Sequence, residues 1–249
     1  LLRRCVKDSA LVSGLVLLET LVHRSLGLYR DTIDRLIAPS RFYRDKLIAW
    51  GWDADRIAHI PNCIDASGYL PAADEGGYFV YAGRLAPEKG LATLLRAAAL
   101  ARRKLVLAGS GPEEERLRRL AASLGAEVEF AGHLDKPALQ RLIGEALALV
   151  LPSEWYENAP VSLLEAYALG RPVIGARIGG IPELVTEGET GLLVEPGNAA
   201  ALAEALAALA AFSPARRAGM GAAGRERVLR EFSPARYRER TINLYEAIC

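Results

Sequence analysis

From residue 78 onward, short apolar runs alternate with helical ones, and no other feature constrains the fold as much. "YFVYAG" (78–83), "KLVLAGSG" (104–111), "VEFAG" (128–132), "ALVLPS" (148–153), "PVIGA" (172–176) and "GLLVEP" (191–196) read as strands. They are almost uniformly apolar rather than alternating, the pattern of strands covered on both faces. Helical segments fill the gaps at 91–103, 112–125, 137–145, 160–169 and 181–185. A strand that returns parallel to its predecessor needs such a crossover. The predicted fold class is therefore α/β, a Rossmann-like parallel sheet flanked by helices. Ligands of these sheets bind beyond the carboxyl ends of the strands. Functional residues are expected just after "YAG", "LAGSG", "FAG" and "LPS".

Local signals agree with this frame. "PEEERLRRLAASLG" opens with proline and acids and closes on Gly125, as capping and the helix dipole favour. Residues 198–211 form an Ala/Leu-rich helix, and two further helices divide near Ser233-Pro234, each opening with Ser-Pro. Residues 33–51 read as strand, turn and helix. Residues 57–77 carry Pro, Asn, Asp and Gly and read as a linker. Residues 1–60 hold one or two strands, too few for a complete doubly wound domain.

The chain opens without Met, which suggests that it begins inside a larger protein. The uncharged run 9–18 is too short to span a bilayer, which takes about 20 residues. Arg3, Arg4 and Lys7 precede it as in a signal peptide, but the apolar pattern continues through Leu21, Val22, Leu26 and Leu28. An amphipathic helix of a folded domain is the expectation. Thirty-one basic against 30 acidic residues leave no electrostatic footprint for nucleic acid. Cys5, Cys63 and Cys249 are far apart and odd in number, which argues against a zinc site or a disulfide framework and fits a reducing compartment.

Three stretches could carry chemistry. In "GRLAPEKG" Gly83 ends a strand, and Arg84 and Lys89 follow at the carboxyl edge of the sheet. Arg offers a fork and Lys a point charge, so the pair can hold a diphosphate; a solvated loop is the plainer alternative. "GSGPEEE" (109–115) has an acid where the dinucleotide fingerprint needs its third glycine. Its glycines let a ligand approach the backbone, or simply make a tight turn. In "ENAPVSLLE", Asn158 and Ala159 lead into Pro160, which reads as the first residue of a helix. The amides of Val161 and Ser162 are then unpaired and suit an anion. Glu157 lies just before that anion site and Glu165 about one and a half turns inside the helix. Two acids there are suited to sugar hydroxyls, because a carboxylate accepts both hydroxyls of a vicinal diol. Glu165 sits among apolar residues, where an acid needs a partner.

His133, in "AGHLD", follows the third strand and faces the same edge. Trp50 and Trp52 read as packing, and Trp155 as a wall or a cap of the sugar pocket. No Ser–His–Asp or Cys–His set and no metal-ligand cluster stands out, so the metal assignment is none.

The succession "IPNCID", "YAGRLAPEKG", "LAGSGPE", "FAGHL", "LPSEWYENAPVSLLEAYALGRPVI", "GGIPELV" and "GETGLLVEPGN" resembles the carboxyl-terminal half of retaining glycosyltransferases of the GT-B fold, family 4, group 1. The likeness runs over residues 57–232. Its most specific element, Glu, seven residues, Glu, is met by Glu157 and Glu165. The resemblance implies that residues 1–60 are a remnant of the amino-terminal acceptor domain with its linker. It implies a nucleotide-sugar-binding domain over 61–232 and a crossover helix over 233–249.

The resemblance also implies roles. Arg84 and Lys89 would bind the donor diphosphate and neutralise charge on the leaving group, with Gly83 beside them. Glu157 would contact the donor sugar and Glu165 the ribose. The backbone of Asn158, Ala159, Pro160, Val161 and Ser162 would meet sugar and phosphate, and the main chain at His133 and Leu134 the base. The catalytic set would be Arg84, Lys89 and Glu157, with front-face attack preferred over a covalent adduct on Glu157. No cofactor or metal is implied. The partners are a UDP-, GDP- or ADP-sugar and a glycan or lipid-linked acceptor, with a peripheral membrane contact through the missing domain. The expected location is cytoplasmic, at or near the inner face of the membrane. Alternatives are a nucleotide-sugar-binding module without turnover and a nucleotide-sugar epimerase.

Overall fold

The structure, a computed structural model, describes residues 9–28, 32–72 and 76–248. Cys5 and Cys249 lie outside them, as do Arg3, Arg4 and Lys7.

Six strands form one parallel sheet: β3 (Phe79–Ala82), β4 (Leu105–Ala108), β5 (Val128–Gly132), β6 (Ala148–Leu151), β7 (Val173–Ala176) and β8 (Gly191–Val194). Their order is β5-β4-β3-β6-β7-β8. The chain winds outward from β3 to β5, returns beside β3 as β6, and winds outward the other way. Ligand crevices form where such windings part, here beyond the carboxyl ends of β3 and β6.

Side-chain alternation along each strand feeds two cores. Val80 and Ala82 of β3 point into one layer, with Leu163, Leu164 and Tyr167 of α6 (Val161–Ala168) and Val228 of α9 (Pro214–Glu231). Phe79 and Tyr81 point into the other, with Leu94 and Leu95 of α3 (Leu91–Ala101), Leu117 of α4 (Glu114–Leu124) and Leu206 and Leu209 of α8 (Ala199–Ala211). α5 (Lys136–Glu145) and the short α7 (Ile181–Leu184) add to the first layer. Tyr167, enclosed in that layer, donates its hydroxyl to Thr190 Oγ1 at 2.7 Å. Burial pushes its pKa up to about 12, so it stays a neutral donor.

The amino-terminal part forms a second, two-stranded parallel sheet from β1 (Leu36–Ala38) and β2 (Ile57–His59), with α2 (Arg41–Ala49) across it. Ala38, Leu47 and Ile57 form its small core, and Trp52 packs against them. Trp50 does not: it is 61% exposed, because it falls at the C-cap where α2 leaves that core. α1 (Ala10–Ser25) forms at the expected place, but Leu11, Leu15, Leu18 and Leu21 are exposed, so the expectation of a packed amphipathic helix fails there. Its single buried residue is Ser13. Among the described residues no single helix is long and apolar enough to cross a membrane.

The stretch that reads as a linker is packed. Ile60, Ile64, Ala66 and Tyr69 are buried, and the Ile64 N–H donates to the Phe232 carbonyl at 2.9 Å. The last helix, α10 (Pro234–Glu246), buries none of its residues. Its Arg240 lines a cavity with Pro39, Ser40, Arg41 and His59 of the amino-terminal part.

Candidate donor site at the switch point

Lys89 reaches the crevice because of its neighbour. Gly90 has φ +66, and a Cβ there would lie 2.1 Å from the Pro152 carbonyl oxygen. Only glycine lets the turn Pro87–Lys89 settle against the end of β6. Lys89 Nζ then donates to Glu157 Oε1 at 2.6 Å. Ser153 Oγ donates to the same oxygen at 2.7 Å. The Lys89 and Glu157 side chains are 26% and 18% exposed, so the pair is screened less than a surface ion pair. Arg84 is exposed and has no carboxylate partner among the described residues. Its carbonyl accepts the Tyr81 hydroxyl at 2.8 Å, which ties the loop back to the core. Burial, with Glu157 and Glu88 nearby, pushes the Tyr81 pKa well above its ordinary value.

These groups surround one cavity of about 220 Å³, lined by Gly83, Arg84, Lys89, Ser153, Glu157 and Ser162, among others. Pro160 also lines it, but Pro160 is the N-cap, with ψ 119, and not the first helical residue. The extended ψ delays the helix by one residue, to Val161. The anion-binding logic survives this correction. The Leu163 N–H returns to the Pro160 carbonyl at 3.2 Å, and among the described residues the amides of Val161 and Ser162 have no backbone partner.

A second cavity of about 600 Å³ adjoins the first through Gly83 and Arg84. Ala108, Gly109, Ser110, Gly111, Pro112, His133, Leu134 and Leu139 complete it. Its floor explains "GSGPEEE". A Cβ on Gly109 would lie 1.9 Å from the Gly83 carbonyl oxygen, and one on Gly111 2.2 Å from that of Leu85. The glycines are required by the neighbouring loop, a contact between backbones that sequence alone does not reveal. The Leu85 N–H donates to the Ser110 carbonyl at 2.9 Å and locks the two loops together.

Glu165 lines neither cavity. Its Oε1 accepts the Tyr69 hydroxyl at 3.0 Å, the partner that its apolar surroundings call for. Burial first, then Glu165, raises the Tyr69 pKa, so the phenol remains a donor. Asn158 and Ala159 form the loop before the helix. Asn158 Oδ1 accepts the Ser40 hydroxyl at 2.6 Å, and the Ala159 carbonyl accepts Asn62 Nδ2 at 2.9 Å. Trp155 does not wall the pocket: it is 65% exposed and stands 5.5 Å, centroid to centroid, from Tyr156. Glu154 serves the scaffold by accepting the Thr93 hydroxyl at 2.5 Å. Sequence reasoning missed Ser153, Tyr69, Ser40, Asn62 and Glu183. Ser153 alone carried a signal, by its place two residues after β6. Among the described residues no group of three or more His, Cys, Asp or Glu gathers as a metal site would require.

Two adjoining cavities thus meet at the switch point, with Arg84 lining both and Lys89 lining the smaller one. The family model for glycosyl transferases group 1 matches residues 69–227. The chain belongs to that family. A GDP-mannose-dependent monoacylated alpha-(1-6)-phosphatidylinositol monomannoside mannosyltransferase of Corynebacterium glutamicum is 34% identical over 76% of this chain and 56% of its own length. An alpha-maltose-1-phosphate synthase of Mycolicibacterium smegmatis is 30% identical over 88% of this chain and 64% of its own. The group 1 chain thus spans little more than half of the relatives it matches.

Among solved structures, sucrose-phosphate synthase from Thermosynechococcus elongatus superposes with a TM-score of 0.77 at 32% identity, covering 86% of this chain and 58% of that one. Anabaena HepE in complex with UDP superposes with a TM-score of 0.79 at 22% identity, over 86% and 64% of the two chains, a likeness of fold alone. The sheet from β3 to β8 is the carboxyl-terminal half of a GT-B fold.

Proposed function

We propose that this group 1 chain supplies the donor half of a retaining glycosyltransferase that moves a sugar from a nucleotide diphosphate sugar to an acceptor hydroxyl. The observation that carries the reading is the junction of the two cavities. There Arg84, which lines both cavities, meets Lys89 and the start of α6 at Pro160 and Ser162, which line the smaller one. The base and ribose occupy the larger cavity, against His133, Leu134 and the Gly109–Gly111 turn. The diphosphate lies at Gly83 and Arg84. The sugar enters the smaller cavity beside Glu157, Asn158 and Ala159, and Glu165 reaches the ribose by turning from Tyr69.

Charge on the leaving diphosphate grows in the transition state. Fixed cations and amides aimed at it are the largest electrostatic contribution such a site offers. Glu157 acts by position and charge. Its Oε1 accepts hydrogen bonds from the Lys89 ammonium and the Ser153 hydroxyl, which fix the carboxylate in place. The proposed attack is front-face, with the leaving phosphate oxygen taking the acceptor proton. No metal is needed for this charge balance.

The acceptor is proposed to be a glycan or lipid-linked glycan, consistent with the phosphatidylinositol monomannoside named in the Corynebacterium relative. A second reading, binding without turnover by these 249 residues alone, is favoured by one observation. Every lining residue of both cavities lies between Tyr81 and Ser162, and the chain spans about 56% of that relative.

The test is to incubate the chain with UDP-glucose or GDP-mannose and candidate glycan acceptors, and to follow the anomeric protons by NMR. An α-linked product from the α-linked donor supports retention. A β-linked product contradicts it. A bound but unconsumed donor favours the second reading, and a trapped glycosyl ester on Glu157 would overturn front-face attack.

A further inference from the structure

Glu183, in "GGIPELV", takes no part in the donor site described above, yet its carboxylate is fully engaged. Its Oε2 accepts the Arg41 N–H at 2.8 Å and its Oε1 the Phe42 N–H at 2.6 Å. These are orphan donors at the start of α2, which lies 141 residues away in sequence. The Glu183 backbone is itself held, because Arg227 donates to its carbonyl at 2.7 Å and to that of Leu184 at 2.8 Å.

α2 in turn grips the loop that carries Glu157. Ser40, its N-cap, accepts the Tyr43 N–H at 3.1 Å and donates its hydroxyl proton to Asn158 Oδ1 at 2.6 Å. The Phe42 ring lies 5.0 Å from Tyr156, and the Lys46 ammonium stands 4.8 Å over the same ring. Asn62 fixes the Ala159 carbonyl. From below, the Gly180 N–H donates to the Glu157 carbonyl at 2.7 Å, and a Cβ on Gly180 would meet the Asn158 carbonyl oxygen at 1.9 Å. The loop from Tyr156 to Ala159 is thus clamped between α2 and the Gly179-Gly180 turn. None of these clamping residues lines the nucleoside cavity.

We propose that Ser40, Asn62 and Glu183 are positioning residues for the donor sugar. Glu183 pins the start of α2, Ser40 transmits that position to Asn158, and Asn62 holds Ala159, so that Glu157 faces the sugar. The proposal rests on the donor-site reading above. It makes the amino-terminal part a determinant of sugar capture and leaves nucleotide capture to the sheet.

The test is calorimetric titration of the full chain and its variants with UDP, GDP and ADP and with UDP-glucose, GDP-mannose and ADP-glucose. In Ser40→Ala and Glu183→Gln the affinity for the bare diphosphate should stay within about twofold of wild type. The advantage of the nucleotide sugar over the bare nucleotide should fall roughly 2- to 12-fold in Ser40→Ala, the range of one neutral hydrogen bond, and at least as far in Glu183→Gln, whose carboxylate bonds are charge-assisted. Ser40→Thr, which keeps the hydroxyl, should restore it. Parallel weakening of both ligands would indicate a merely structural role and overturn the proposal. So would a sugar advantage that does not change. Failure of the wild-type chain to bind any of the six would overturn the donor-site reading itself, and the proposal with it.

Discussion

Gly109→Ala isolates the backbone contact on which the nucleoside cavity depends. The new Cβ would start 1.9 Å from the Gly83 carbonyl oxygen, where about 3.0 Å is the least that real Cβ atoms show, so one loop must retreat by roughly 1.1 Å (3.0 − 1.9). Neither loop is free to do so. The Gly83 N–H donates to the Ala108 carbonyl at 3.0 Å, and the Gly109 N–H donates to that of Gly132 at 2.7 Å. Overpacking of this kind costs ~1–3 kcal/mol. The φ of +132 at Gly109 adds strain of ~1–2 kcal/mol for an L side chain. The sum is about 2–5 kcal/mol, a large part of the ~5–15 kcal/mol that stabilises a typical domain. Gly125→Ala is the control: its φ is +61 but no atom lies within 4 Å of the added Cβ, so only the strain of ~1–2 kcal/mol applies. Urea denaturation followed by circular dichroism reads both variants, and nucleotide titration should show weakened binding for Gly109→Ala alone. Equal destabilisation of the two, with nucleotide affinity unchanged in both, would refute the argument.

Other outcomes follow from the same geometry. Lys89→Met removes a charge-assisted contact worth ~1.5–3 kcal/mol, so diphosphate affinity should fall by about one to two orders of magnitude in calorimetry. An unchanged affinity would remove Lys89 from the site. Glu165→Ala should weaken binding of nucleotide and nucleotide sugar alike by ~1–3 kcal/mol, and unchanged binding of both would refute the ribose assignment. His59 has its pKa lowered from 6.5, chiefly by burial, against an opposing pull from Glu183 and with help from Arg41, Arg240 and Arg44. The folded state therefore binds fewer protons than the unfolded one between the lowered pKa and 6.5, so stability should fall as pH drops through that window. His59→Gln should flatten this part of the profile in thermal melts taken from pH 7.5 to 5, and an identical slope would contradict the assignment.

The sheet was legible because the strands are short, mostly apolar and bounded by Gly or Pro, although the edge strand β5 buries none of its residues. The order of the strands was not, since nothing in "ALVLPS" says that it returns beside "YFVYAG" rather than extending the edge. The acids of "ENAPVSLLE" were legible as a pair but not in their surroundings. Glu157 meets Lys89 across 68 residues and Glu165 meets Tyr69 across 96, and local spacing carries no record of such partners. The glycines of "GSGPEEE" show the converse limit. Their need for space was plain, but the atom that takes the space is a carbonyl of the adjacent loop. Ser40 and Glu183 were invisible for the same reason, because their value lies in contacts between the two parts of the chain.

The most direct measurement of the central claim is calorimetric titration of the wild-type chain with UDP, GDP and ADP, repeated with Arg84→Ala combined with Lys89→Ala. The account predicts saturable binding of one nucleotide, abolished in the double variant while its circular dichroism and melting remain those of a folded protein. Binding that survives loss of both cations, or no binding by a folded wild-type chain, would contradict a donor site at the carboxyl ends of β3 and β6.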